Sequence, residues 1–262
     1  MSAYWTKGSP RTLSERFTHV HIVKCFAILR ATCRAMSKIS FRGVEAVLFD
    51  FEGTLVGNQW NRKEAVQETI ERLKGLGFPV DRLQGKKYSL LKNEAIAMAR
   101  EIGQSPNSVK EEIDAIYDRF DEDALSRWSL RPQAKDFLSF LKTSDIQTGL
   151  VSNLGAKTLE EGIKKLGLIS HFNIVVSRND VRHLKPNGEG IRLALNRLGV
   201  PGGKALFVGD SLDDIQAAKE AGLQVIIILG GENSRSDLLT GGPDFLIQDY
   251  GELIACLKEH RI

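Results

Sequence analysis

The sequence predicts an α/β fold in which helices cover both faces of a parallel sheet and a small helical domain is inserted after the first strand. Short apolar segments alternate with amphipathic segments along residues 46–259. A strand that is followed each time by a helix is typical of a parallel sheet buried on both faces. Residues 58–130 interrupt this alternation with helical patterns only, and they are too many for a loop, so they predict the inserted domain.

The core elements are assigned from the period of their apolar residues. Strands are short apolar runs such as LQVIIIL, and helices repeat apolar residues at spacings of three and four. We predict strands at 46–50, 147–152, 173–177, 204–209, 223–229 and 244–248, and helices at 133–142, 156–167, 187–198, 212–221 and 250–259.

The inserted segment contains three helical stretches, NRKEAVQETIERLKGLG, LLKNEAIAMAREIG and SVKEEIDAIYDRFDEDAL. We expect Asn107 or Ser108 to cap the third stretch, because short polar side chains favour that position. Ligands bind at the carboxyl ends of the strands in such sheets, so an insert after the first strand is expected to lie over the site. The predicted domains are a basic extension (1–42), a core (43–57 and 131–262) and a helical cap (58–130).

Composition is that of an ordinary globular protein. The 262 residues are 42% hydrophobic and 26% charged, and no apolar run approaches the roughly 20 residues that span a bilayer. Three widely spaced cysteines argue against a disulfide framework or a zinc site. A reducing, cytoplasmic location is therefore expected.

The net charge of +3 is unevenly distributed. Residues 1–42 carry eight Lys or Arg and one acid, whereas the remainder carries 28 basic and 32 acidic residues. Three interpretations of the basic extension stay open: sequence upstream of a true start at Met36, an organellar targeting segment, or an arm that touches nucleic acid or anionic membrane. The body is mildly acidic, so no nucleic-acid partner is expected for it.

Polar residues stand at predicted strand ends, where a structural role alone does not explain them. Because the carboxyl ends of parallel strands meet at one edge of a sheet, we expect these side chains to converge. They are Asp50 with Glu52, Ser152 with Asn153, Lys185, and Asp210 with Asp214.

Each of these positions has a chemical and a structural interpretation. Asp50 is suited to attack a phosphoryl group and form an aspartyl-phosphate, or it initiates a turn. Ser152 and Asn153 open a helix where phosphate oxygens can bind, or they form a turn. Lys185 can neutralise charge on a transferring phosphoryl group, or it is a solvated loop residue. Asp210 and Asp214 offer the oxygen ligands that magnesium prefers, or they cap a helix.

Taken in order, these motifs resemble the haloacid dehalogenase superfamily over residues 46 to about 257. The stretch KPNGEGIRLALNRLGVPGGKALFVGDSLDDIQAAKEAGL is similar to the phosphoglycolate-phosphatase-like branch, which has a helical cap and a Rossmann-like core. The resemblance implies a magnesium-dependent phosphatase acting on a small phosphorylated metabolite. It implies Asp50 as nucleophile, Glu52 as acid/base, Lys185 as phosphoryl clamp, Thr54, Ser152 and Asn153 as phosphoryl-site residues, and Asp50, the Glu52 backbone carbonyl, Asp210 and Asp214 around magnesium.

Glu52 departs from the family pattern, which has aspartate at this position. The intrinsic acidity differs by only about 0.4 pKa units, but the extra carbon–carbon bond adds about 1.5 Å of reach. We expect a working acid/base with a slower rate or a pocket set back to fit. Two alternatives stay open: another chemistry on the same fold (dehalogenase, phosphonatase with Lys86 or Lys87, or phosphomutase), and a slow or non-catalytic phosphoacceptor.

Substrate identity is expected to reside in the cap. Basic and aromatic residues there could meet an anionic substrate, although each could equally be solvated or packed. The candidates are Arg82, Lys86, Lys87, Tyr88, Arg127 and Trp128. The sequence leaves the oligomeric state open between monomer and homodimer.

Overall fold

The described residues form a six-stranded parallel sheet with the first strand at its centre. The computed structural model describes residues 39–259, so nearly all of the predicted basic extension lies outside the described residues. The strands are β1 (Ala46–Phe49), β2 (Gln147–Val151), β3 (Ile174–Val176), β4 (Ala205–Gly209), β5 (Gln224–Ile228) and β6 (Phe245–Ile247), in the order β3-β2-β1-β4-β5-β6. The predicted fold class is confirmed, and every strand bound lies within one residue of its prediction.

Strand β1 is fully buried because it pairs with a strand on each side and is covered on both faces. Phe49, its last residue, is in register with Leu150 of β2 and Val208 of β4. All four residues of β1 are apolar and have no exposed surface. Asp50 follows directly, so it leaves the sheet from a fully buried strand.

Three α-helices fall within the predicted insert, residues 58–130, as the helical pattern predicts. They are α1 (Arg62–Gly75), α2 (Tyr88–Met98) and α3 (Pro106–Leu125). The expected cap of the third helix is wrong: Ser105 is the N-cap, and its side chain accepts a hydrogen bond from the backbone of Ser108. Pro106 occupies the first helical position, where its fixed φ and missing N–H are tolerated. The helix therefore begins earlier in the chain than expected.

The core helices follow the strands in alternation. They are α4 (Ala134–Thr143), α5 (Ala156–Lys165), α6 (Glu189–Leu198), α7 (Leu212–Glu220), α8 (Arg235–Gly241) and α9 (Tyr250–Glu259). Helix α5 ends two residues earlier than predicted, because Gly167 takes a positive φ and its N–H closes the helix on Lys164. The predictions did not include α8, whose seven mostly polar residues show little periodicity. None of the described helices is long and apolar enough to cross a bilayer.

The inserted helices contact the carboxyl edge of the sheet. Ser89 donates a hydrogen bond to Asp213 over 2.9 Å, and the Asn93 side chain exchanges two hydrogen bonds with the backbone of Leu184. These contacts join the insert to the first turn of α7 and to the segment around Leu184. The cap boundaries at 58 and 130 remain a prediction, since residues from Ser40 onward form one compact unit.

Candidate active site

Asp50 is held at the end of β1 by contacts to both of its carboxylate oxygens. Its backbone N–H donates to Val208 of β4, which continues the sheet by one bond. Lys185 Nζ donates to Oδ1 over 2.6 Å, and Thr54 Oγ1 donates to Oδ2 over 3.3 Å. The side chain is 10% exposed. A fixed, buried carboxylate of this kind is suited to nucleophilic attack.

Asp210 lies beside Asp50 because β4 is the neighbour of β1. Thr54 Oγ1, which contacts Asp50, also donates to Asp210 Oδ1 over 3.1 Å, and the Glu232 N–H donates to Oδ2 over 2.6 Å. Gly53 has a φ of +86°, and a Cβ there would lie 2.3 Å from Asp210 Oδ2. The loop after β1 can therefore approach Asp210 only with glycine at position 53.

Asp214 caps a helix, as one of its two interpretations expects, and its role as a magnesium ligand stays a prediction. It is the third residue of α7, and its Oδ2 accepts hydrogen bonds from the Ser211 hydroxyl and backbone, which forms a capping box. Its Oδ1 accepts from Lys185 Nζ over 2.6 Å. The helix cap thus orients the carboxylate toward the site.

Three buried carboxylates, of Asp50, Asp210 and Asp214, form a cluster that fits a divalent cation. Each offers a ligand oxygen, and these oxygens lie within 4.8 Å of one another. Burial raises the pKa of Asp50 to about 6 against the opposing effect of Lys185. Burial, Asp214 and Asp50 together raise the pKa of Asp210 well above its usual range. The single ammonium of Lys185 leaves excess negative charge here, and magnesium bound to carboxylate oxygens would offset it.

Lys185 and Asn153 are joined by two hydrogen bonds, and a third joins Asn153 to Tyr88. The Lys185 N–H donates to Asn153 Oδ1 over 3.0 Å, and Asn153 Nδ2 donates to the Lys185 carbonyl and to Tyr88 Oη, both over 3.2 Å. Burial disfavours the charged amine, but Asp214 and Asp50 outweigh this effect and raise the pKa of Lys185. The Asn153 side chain therefore positions Lys185, and phosphoryl binding by Asn153 stays a prediction. Ser152, also buried, accepts from the Leu154 N–H over 3.3 Å.

Glu52 is anchored by the insert side of the site. Its Oε1 accepts from the Gln59 N–H over 2.8 Å and from Trp128 Nε1 over 3.1 Å. Burial raises the pKa of Glu52, partly offset by these two hydrogen bonds. The side chain lies outside the carboxylate cluster, so any metal contact would come from its backbone carbonyl, which stays a prediction.

The cavity above these residues is lined on the insert side by residues that the sequence predictions largely missed. These are Trp60, Arg62 and Asp121; Tyr88 is the one lining residue among the proposed substrate candidates. A signal existed for Trp60 and Arg62, since both lie within twelve residues of Asp50 in the segment that leaves β1. Asp121 carried no local signal, because it is one acid of many on α3.

Most of the other substrate candidates are engaged in ion pairs. Arg82 pairs with Glu101, Lys86 with Glu94 and Arg127 with Asp123, and none of these three cations lines the described cavity. Lys87 pairs with Asp213 and Glu232 at the cavity edge. Trp128 donates a hydrogen bond to Glu52 and is not among the residues that line the described cavity.

Comparison with known proteins identifies the family. Residues 47–228 match the model of the haloacid dehalogenase-like hydrolases, which spans both the core and the insert. The chain belongs to the haloacid dehalogenase-like hydrolase family. The predicted resemblance is confirmed, and the chain is a member of an enzyme family of hydrolases.

Relatives of this hydrolase place it in the phosphoglycolate-phosphatase-like branch. It is 28% identical to the phosphoglycolate phosphatase of Salmonella choleraesuis over 237 residues, covering 82% of this chain and 93% of the relative. It is also 28% identical to that of Escherichia coli O157:H7 over 243 residues, covering 85% and 95%.

Solved structures share the fold of this hydrolase. CbbY from Rhodobacter sphaeroides, in complex with phosphate, is 25% identical with a TM-score of 0.56, covering 82% of this chain and 99% of that one. A hydrolase from Pseudomonas syringae is 24% identical with a TM-score of 0.58, covering 82% and 98%.

Proposed function

We propose that this hydrolase is a magnesium-dependent phosphomonoesterase that acts on a small phosphorylated metabolite through an aspartyl-phosphate on Asp50. One observation carries the proposal: a single lysine, Lys185, contacts two of three clustered carboxylates at adjoining strand ends, with Asp50 presented toward a cavity. The naming of the curated relatives as phosphatases supports the reaction class.

In the first step the Asp50 carboxylate attacks phosphorus, and the bond from phosphorus to the alcohol oxygen breaks. Lys185, held by Asn153, balances the charge that develops on the phosphoryl oxygens. Glu52 gives its proton to the departing alcohol oxygen. Because both hydrogen bonds to Glu52 end on Oε1, we assign the proton to Oε2.

In the second step Glu52, now ionised, takes a proton from water, and the oxygen of that water attacks the phosphorus of the aspartyl-phosphate. The bond between phosphorus and the Asp50 oxygen breaks, which releases inorganic phosphate and restores both carboxyl groups. Asp50, Asp210 and Asp214 would hold magnesium, which would supply positive charge to offset that of the phosphoryl group. Thr54 keeps the carboxylates of Asp50 and Asp210 in register through its hydroxyl.

Phosphate release from p-nitrophenyl phosphate, with and without magnesium, tests the proposal. We expect Asp50→Asn to abolish turnover, and Asp136→Asn, on the exposed surface of α4, to leave it unchanged as a matched control. Magnesium-dependent release by Asp50→Asn at the wild-type rate would refute the assignment of the nucleophile.

Acid quenching distinguishes the alternatives. Phosphate that stays trapped on Asp50 with almost no release would favour a phosphoacceptor over an enzyme. Halide release from a haloacid without magnesium would favour dehalogenation.

Calorimetry on Asp210→Asn tests the metal site separately, since we expect that variant to lose magnesium affinity while remaining folded.

A further inference from the structure

Arg178 is a buried cation of the core that contacts helix α3 of the insert. Its side chain is 1% exposed, and it lies two residues after the end of β3. Nη2 donates to Asp121 Oδ2 over 2.9 Å and pairs with Asp118, and Nε lies 3.0 Å from Asp114 Oδ1. These acids are spaced by four and three residues, so they share one face of α3. The insert thus presents a row of three carboxylates to a single arginine of the core.

Arg178 also holds the β2 loop, residues 152–155, which connects β2 to α5. Its Nη1 donates to the Asn153 carbonyl over 3.0 Å, and its backbone N–H donates to the Leu154 carbonyl over 2.8 Å. Asp121 Oδ2 accepts from the Gly155 N–H over 2.8 Å. Because a guanidinium presents its donors in fixed directions, one rigid group relates the position of α3 to that of the β2 loop.

Gly155 shows how closely α3 approaches the β2 loop. A Cβ at this position would lie 2.4 Å from Asp118 Oδ1 and 2.9 Å from Arg178 Nη2. A side chain there would therefore push the Asp118 carboxylate away from Arg178. Glycine at position 155 keeps the three groups in contact.

The β2 loop connects Arg178 to the lysine of the active site. The Asn153 side chain accepts from the Lys185 N–H over 3.0 Å and donates to the Lys185 carbonyl over 3.2 Å. Lys185 Nζ donates to Asp50 and to Asp214, each over 2.6 Å. Arg178 is not among the residues that line the described cavity. Any effect of Arg178 on the reaction must therefore pass through the β2 loop.

We propose that Arg178 is a positioning residue, which uses the acids of α3 to hold the β2 loop and thereby keeps Lys185 in place to balance charge on the phosphoryl group. The insert then does more than cover the site, because α3 fixes a loop of the core. A buried ion pair often contributes no more to stability than packed apolar side chains of the same volume, so stability alone does not account for these contacts. The catalytic part of the proposal rests on the phosphatase function above, whereas the positioning of Lys185 does not.

Amide hydrogen exchange measured by NMR tests the positioning directly. Arg178→Lys keeps the charge, but a single ammonium cannot replace the fork of donors that reaches both Asn153 and α3. We expect the Lys185 N–H, which donates to Asn153 Oδ1, to exchange about tenfold faster relative to the amides of β1. The β1 amides are the reference because a fully buried central strand opens only when the whole chain unfolds, so the ratio corrects for any loss of stability.

Lys92→Met is the matched control. Lys92 is a buried cation on α2 that also pairs with Asp114, and none of its described contacts reaches the β2 loop. We expect this variant to leave both the exchange ratio and kcat unchanged.

Kinetics on p-nitrophenyl phosphate connect the positioning to the reaction. Arg178→Lys should lower kcat by about tenfold with a smaller change in KM, because Lys185 acts on charge that develops in the transition state. Asn153→Ala removes the side chain that joins the β2 loop to Lys185. In that background we expect Arg178→Lys to lower kcat by much less than in the wild type.

The outcomes separate positioning from a purely structural role. An exchange ratio for Lys185 that Arg178→Lys does not change overturns the proposal, and so does an equal change in Lys92→Met, which would report loss of packing within the insert. Full additivity of Arg178→Lys with Asn153→Ala overturns the route through the β2 loop. Absence of phosphate release by the wild type refutes the phosphatase function itself, and the exchange ratio still decides whether Arg178 positions Lys185.

Discussion

Replacing Glu52 by aspartate, the residue that its family usually has, should slow this protein. Glu52 Oε1 lies 2.8 Å from the Gln59 N and 3.1 Å from Trp128 Nε1. Aspartate is shorter by one carbon–carbon bond, about 1.5 Å, which would take the oxygen out of hydrogen-bond reach of both donors. A misplacement of about 1 Å can reduce a rate by about 100-fold, so we expect a loss of that order in kcat.

Kinetics on two leaving groups provide the assay. An alkyl phosphate needs its departing oxygen protonated, whereas p-nitrophenolate departs readily without a proton. In Glu52→Asp and Glu52→Gln we therefore expect the rate of the first step to fall more for the alkyl phosphate than for p-nitrophenyl phosphate. We expect the magnesium affinity to be unchanged. Glu52→Gln keeps the length of the side chain but cannot carry the proton, and general acid catalysis contributes about 100- to 10,000-fold.

Trp128→Phe tests whether loss of the hydrogen bond from Trp128 explains the slow rate expected of Glu52→Asp. This variant removes one of the two donors and keeps an aromatic ring against Phe51. If Glu52→Asp is slow because it loses this contact, the effects of the two substitutions will not add. A Glu52→Asp enzyme as fast as wild type, or strict additivity with Trp128→Phe, would refute the reasoning.

Three further predictions concern the loop after β1 and the buried charges of the insert. Gly53→Ala should abolish magnesium-dependent turnover while the chain stays folded by circular dichroism, because its Cβ would lie 2.3 Å from an Asp210 oxygen at a positive φ; normal turnover would contradict this. Arg178→Met should lower the free energy of unfolding in urea by about 3–5 kcal/mol, since it strands buried carboxylates of α3, whereas Arg72→Met, which breaks an exposed pair, should have little effect. Burial lowers the pKa of Lys92 to about 7 from 10.5, so the folded state binds fewer protons than the unfolded state between these values and stability should rise with pH. The unfolding free energy of the wild type should rise with pH more steeply than that of Lys92→Met, by at most about 1.4 kcal/mol per pH unit. Parallel curves of stability against pH for the two proteins would refute this prediction.

Much of the fold and part of the site could be predicted from sequence because they depend on local pattern. Apolar runs such as AVLF before Asp50 identify strands, and the residue after such a run lies at a strand end. Parallel strands then bring Asp50 and Asp210 to one edge, provided that β1 and β4 are neighbours. From the sequence we expected Asp50 and Asp210 at neighbouring strand ends, and β1 and β4 are adjacent, but no complete strand order was predicted because that order depends on how the whole chain packs.

The details of the site required the tertiary structure. Trp128 is 76 residues from Glu52, and only the return of the chain from the insert brings its N–H to that carboxylate. Asn153 was a candidate for the phosphoryl group, but in the structure its amide holds the Lys185 backbone.

The sequence by itself determined which residues could do chemistry: the acids and the lysine at strand ends, together with a glutamate where an aspartate is usual. Only the tertiary structure decided what surrounds them, because the cavity wall is built by α3 and the segment before α1 folding onto the sheet edge. Trp60 and Asp121 are buried and line that cavity, which no sequence prediction included. These properties arise from contacts between residues distant in the chain, and no local pattern of residues encodes them.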